Sequence, residues 1–74
     1  MIDNYIQKYR ENVSMSRVDL AERSGLCYGQ IYALETGRRS LLHSEVDTMM
    51  RIGKALGLYD PTMLIKEEGD PDGI

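Results

Sequence analysis

Seventy-four residues make one small domain, a size at which only about 60% of the unfolded chain's surface is buried, and that leaves little room for a deep catalytic cleft. Hydrophobic residues reach 42%, enough for a folded core, while a single Cys and a single His exclude an internal disulfide and a recognisable zinc site. The net charge of −3 looks hostile to nucleic acid, but it is local: Glu67, Glu68, Asp70 and Asp72 carry it, and residues 1–65 hold eight acids and eight bases. No apolar run reaches the ~18 residues of a membrane span, and the amino terminus lacks a signal-peptide pattern. The expectation is a reduced, cytoplasmic protein with no membrane partner, no cofactor and no metal.

Apolar residues recur at helical spacing along the chain, and no stretch alternates with period two. This predicts an all-α fold of five helices. The first starts after Asp3 as its cap and carries Ile6, Tyr9 and Val13 on one stripe, with Asn12 and Ser14 as the stop. The second opens on Ser16-Arg17-Val18-Asp19, a capping box in carboxylate form, with Met15 and Leu20 spaced as a hydrophobic staple. It ends at Gly25, which tolerates the left-handed conformation of a sharp exit. A third helix begins near Cys27 and runs through Ile31 and Leu34 to Thr36-Gly37. The polar connection from Arg38 to His43 contains Leu41 and Leu42, one of which should enter the core.

Ser44-Glu45-Val46-Asp47 reads as a second capping box, opening a fourth helix with Val46, Met49, Met50, Ile52 and Leu56 as its apolar set and Gly57 at its end. Asp60-Pro61 is a cap followed by Pro at the first helical position, which predicts a short fifth helix with Leu64 and Ile65. Domain organisation follows: residues 1–66 form the helical domain, and residues 67–74, with four acids, two Gly and a Pro, read as a disordered acidic tail.

Two short helices separated by a tight turn containing Gly make a helix-turn-helix. A steep crossing after so short a turn brings two backbones together, which favours a small side chain at Ala21, and Gly25 meets the need for positive φ. Leu20, Leu26, Ile31 and Leu34 are placed to seal the core beneath the pair. With these features in place, the chain resembles the phage-repressor-like (Xre-type, Cro/repressor) helix-turn-helix family over roughly residues 4–65. The matching stretches are Ile6…Tyr9-Arg10, Met15-Ser16…Leu20-Ala21-Glu22-Arg23, Gly25-Leu26, Ile31…Leu34-Glu35-Thr36-Gly37-Arg38-Arg39 and Ile52-Gly53-Lys54-Ala55-Leu56-Gly57.

The resemblance implies a lambda-repressor-like domain whose third helix enters the major groove of double-stranded DNA, in a small transcriptional regulator. It also implies an ion pair between Arg10 and Glu35, and a dimer on a palindromic site; the fourth and fifth helices are the expected homodimer surface. Arg17, standing where the family often has Gln, and Arg38 and Arg39 are expected on the DNA backbone. At 100° per residue the face opposite Ile31 and Leu34 holds Tyr28, Gly29, Tyr32 and Ala33, with Gln30 at its edge. These five are the expected base-reading residues, although the face has no Arg, Lys or Asn. Cys27 replaces the usual Ser or Thr cap, a loss of about 1 kcal/mol of capping.

The alternative from another class is a protein-interaction module, or an antitoxin-like partner, that keeps the fold with little or no DNA binding. The acidic balance and the uncharged, Tyr-rich third helix favour it. No Gly-rich phosphate loop and no nucleophile paired with a base is present in the sequence, so an enzyme is not expected.

Overall fold

The computed structural model describes residues 2–66. These form a small all-α domain of four helices: α1 (Ile6–Asn12), α2 (Arg17–Ser24), α3 (Tyr28–Glu35) and α4 (Val46–Ala55). A single 3-10 turn, Pro61–Leu64, follows. Among the described residues there is no sheet, only one antiparallel bridge between Asn4 and Ile65. The acidic stretch 67–74 lies outside the described residues.

One core is assembled from every element, because no helix of seven to ten residues can bury its apolar stripe alone. Ile6 comes from α1, Leu20 from α2, Ile31 and Leu34 from α3, Leu41 from the α3–α4 connection, Ile52 from α4 and Leu64 from the 3-10 turn; all are sealed from solvent. Leu41 is thus the leucine of its pair that enters, and Leu42 stays exposed. α2 begins on its capping box: the Asp19 N–H donates to Ser16 Oγ at 3.0 Å, and the Ser16 N–H to Asp19 Oδ2 at 3.5 Å. Gly25, at φ 75°, ends α2, and the Leu26 N–H then donates to the Ala21 carbonyl at 3.0 Å. That bond draws the chain back across α2, and Ala21 is buried where the helices approach.

Several local expectations are corrected. Asp3 does not cap α1; Tyr5 occupies the N-cap position. The Asp3 carboxylate is instead taken by the α3–α4 connection, where it accepts from Ser40 Oγ, the Leu41 N–H at 3.0 Å and the Leu42 N–H at 3.2 Å. Val13 lies beyond α1 and is exposed. Ser14 turns the chain through φ 55°, so Met15 takes the buried place. Ser44 does not cap α4: its hydroxyl donates back to the Ser40 carbonyl at 2.7 Å, and Glu45 is the N-cap residue, without a side-chain bond. Met50 and Val46 are exposed, since Met50 precedes Ile52 by two residues, about 200° around the helix.

The fifth helix is only the one 3-10 turn, opened by Asp60, whose Oδ1 accepts from the Thr62 N–H at 3.0 Å. Its placement depends on Gly53, since a Cβ there would sit 2.9 Å from Pro61 Cβ and 3.1 Å from Pro61 Cα. The two ends of the described chain are tied as well. The Tyr5 N–H donates to the Leu64 carbonyl at 2.7 Å, and the Lys66 N–H to the Asp3 carbonyl at 2.9 Å.

Candidate functional site

α3 is held from below by charge as well as by apolar packing. Glu35, in its last turn, has a side chain with no solvent exposure. Arg10 of α1 meets it with two parallel bonds, Nε to Oε2 at 2.8 Å and Nη2 to Oε1 at 3.0 Å. The third Arg10 nitrogen, Nη1, donates to the Met15 carbonyl at 2.8 Å. Arg17, at the start of α2, adds a bond from Nε to Glu35 Oε1 at 3.0 Å. The resemblance implies one arginine for Glu35; the structure gives it two. Every buried side-chain nitrogen and oxygen among the described residues has a partner, the condition under which a buried ionic group is tolerated.

Asn4 locks the same end of α3 through its backbone: its Nδ2 donates to the Leu34 carbonyl at 2.9 Å, and its Oδ1 accepts from the Ile6 N–H at 3.2 Å. Asp3 and Asn4 therefore fix the exit of α3 and the connection after it. Burial pushes the Asp3 carboxyl up, but its donors (Ser40, Leu41, Leu42 and Asn4) together outweigh burial and hold it below its ordinary value. The sequence pattern marks Asp3 only as a cap of α1 and marks Asn4 not at all. Their partners lie 30 to 39 positions away, and an Asp before a helix carries the stronger local signal of a cap.

Away from this anchored side, α3 turns Tyr28, Gly29 and Tyr32 to solvent, with Gln30 and Ala33 half-buried at the margins. The Tyr28 and Tyr32 rings stack one turn apart, with centroids 6.3 Å apart and an interplanar angle of 17°. The Arg17 guanidinium lies over the Tyr32 ring, 5.0 Å from its centroid. Hydrogen bonds to Glu35 first and Tyr28 second raise the Arg17 pKa above its ordinary value. Gln30 Oε1 accepts from the Cys27 N–H at 3.0 Å, so part of the helix start that Cys27 serves poorly is completed by Gln30. This use draws Gln30 away from the outward face.

Arg38 and Arg39 are exposed just beyond α3 and form no ion pair with any described residue. The Arg39 N–H donates to the Ala33 carbonyl at 3.1 Å, which ties the backbone of the pair to the helix. Of the three arginines expected on a DNA backbone, two are thus unpaired by described residues and the third is engaged with Glu35. A polar depression lined by Gln30, Arg39, Ser40, His43 and Thr48 lies between α3 and α4.

Among the described residues no group of His, Cys, Asp and Glu is placed to hold a metal ion, and no helix is long and apolar enough to cross a membrane. No family model, no curated protein and no solved structure matches the chain. The geometry defines a small all-α domain with one uncharged, aromatic helix face and an exposed arginine pair at that helix's end.

Proposed function

We propose that this domain is a lambda-repressor-like helix-turn-helix module that binds double-stranded DNA as a small transcriptional regulator, with α3 in the major groove. The observation that carries the reading is the arrangement around α3. Its solvent face is uncharged and built from Tyr28, Gly29 and Tyr32, while Arg38 and Arg39, unpaired by described residues, stand where the chain leaves the helix. Small Gly29 and Ala33 let a helix sit close to base edges, and an Ala methyl suits a thymine methyl. The arginine pair supplies phosphate contacts, which position the module without reading sequence.

A domain measuring 32 × 22 × 19 Å covers one half-site, so the reading includes a homodimer on half-sites about 34 Å apart. The exposed Val46, Met50 and Tyr59 on and after α4 support that side as the dimer surface. A second reading, a protein-interaction module, is favoured by the exposed stacked tyrosines, since Tyr is enriched at protein interfaces.

The two readings are separated by a salt titration on duplex DNA. Replacing Arg38 and Arg39 with Ala should weaken binding to all duplexes alike and lower the slope of log affinity against log salt by about 0.9 per lost contact. No binding of a broad duplex pool at low salt by the unaltered protein would reject the DNA reading in favour of the protein one.

A further inference from the structure

Among the described residues, Arg17 is the one cation that touches both the buried anchor and the exposed face of α3. Its Nε is bonded to Glu35 at 3.0 Å, and its guanidinium covers the Tyr32 ring. Tyr32 in turn stacks on Tyr28. The Arg17 side chain is only 28% exposed, although it stands in the first turn of a surface helix. Glu35 does not need Arg17 for neutralisation, because Arg10 already supplies a two-bonded partner. A guanidinium bonds in its plane and stacks with its face, so it holds an acid and an aromatic ring in one fixed geometry; an ammonium has no plane to stack and fixes neither orientation.

We propose that Arg17 is a positioning residue, bridging Glu35 to the Tyr32–Tyr28 ring pair so that the exposed face of α3 is held in one arrangement, and that it does not serve as a phosphate contact. Surface tyrosines left alone exchange between side-chain rotamers. Here the Tyr32 ring has Arg17 against it and Tyr28 beside it, so two helices fix a surface that belongs to one. An aromatic face already fixed before a partner arrives binds without the entropy loss of ordering its rings. The consequence for recognition rests on the DNA reading above, whereas the bridge is a property of the free protein.

The test uses Arg17→Gln and Arg17→Lys in the full chain. In the free protein, both variants should move the ring proton resonances of Tyr28 and Tyr32 towards random-coil positions. Melting should change far less than in Arg10→Ala, because Glu35 keeps Arg10. Unchanged tyrosine resonances in both variants would overturn the bridge, with or without DNA binding.

On duplexes selected from a random pool, Arg17→Gln should reduce the ratio of selected to unselected affinity about tenfold, the factor of one weak base-edge contact. The salt slope should stay as in the unaltered protein. A slope lower by about 0.9, or full recovery of the ratio by Arg17→Lys, would show that Arg17 acts through its charge on phosphate and would overturn the proposal. If the unaltered protein binds no duplex at all, the DNA reading fails, and the tyrosine resonances alone decide the bridge.

Discussion

Replacing Arg10 with Ala removes three hydrogen bonds at once. Glu35 Oε2 loses its donor at 2.8 Å, Oε1 loses one of two, and the Met15 carbonyl loses the Arg10 Nη1 donor at 2.8 Å. Glu35 has no solvent-exposed side-chain surface, so water cannot take over without opening the packing between α1 and α3. Breaking a buried ion pair from one side destabilises by about 3–5 kcal/mol. Because Arg17 stays bonded to Oε1 at 3.0 Å, the lower end applies, about 3 kcal/mol. At roughly 4–8 °C per kcal/mol for a domain of this size, the melting temperature should fall by about 12–24 °C. Thermal and urea unfolding followed by far-ultraviolet circular dichroism measure it. The double variant Arg10→Met/Glu35→Leu should recover most of the loss, since the unpaired carboxylate is gone. A melting temperature within about 3 °C of the unaltered protein in Arg10→Ala would refute the reasoning, because it would mean that Glu35 is solvated or satisfied by Arg17 alone.

Three further substitutions have signs that the structure sets. Gly53→Ala would ordinarily stabilise a helix interior by about 1 kcal/mol, but a Cβ 2.9 Å from Pro61 should make it net destabilising by about 1–2 kcal/mol; a higher urea midpoint would mean that the 3-10 turn is not packed on α4. Ser14→Gly should stabilise by about 0.5–1 kcal/mol, because Ser14 holds φ 55°, where a side chain is strained; a lower midpoint would contradict that conformation. Asp3→Ala should destabilise near neutral pH and free the Leu41 and Leu42 amides for hydrogen exchange. The folded Asp3 carboxyl lies below its ordinary value of 3.8. Its contribution is therefore full above that value and is lost as pH falls through the lower folded value, so the two stability curves should converge in acid; a gap that persists there would show that the carboxylate charge is not what the connection uses. Asn at position 3 should not rescue, since its NH2 group would confront donors that the carboxylate accepts.

Local turn and cap motifs hold where no distant group competes for their atoms. Ser16 and Asp19 form the capping box that their spacing announces, and Gly25 takes the positive φ required of it, because these motifs are closed within four residues and no distant group competes for them. Asp3 and Ser44 carry equally good local signals and fail. The Asp3 carboxylate finds three donors in the α3–α4 connection, and Ser44 turns back to the Ser40 carbonyl. A cap bond contributes about 1 kcal/mol, so several converging tertiary bonds override it. The fourth helix shows the same limit for apolar residues: Val46 and Met50 have helical spacing with each other, but not with Ile52 and Leu56, which are buried in the core with Met49 packed against it.

The sequence by itself determined the all-α class, the four helices to within a residue or two at most ends, the Gly25 turn and much of the core, namely Ile6, Leu20, Ile31, Leu34, Ile52, Leu56 and Leu64. Each follows from periodicity of 3.6, small side chains and local capping, which act over a few residues. Only the tertiary structure decided that Pro61–Leu64 closes as a single 3-10 turn on Gly53, and that the two ends of the described residues pair, Tyr5 with Leu64 and Lys66 with Asp3. It also decided that Arg17 belongs to Glu35 and Tyr32. A guanidinium on a long side chain reaches whichever acid and ring the helix crossing brings near. That crossing is set by the packing of α1, α2 and α3 together, which no local pattern encodes.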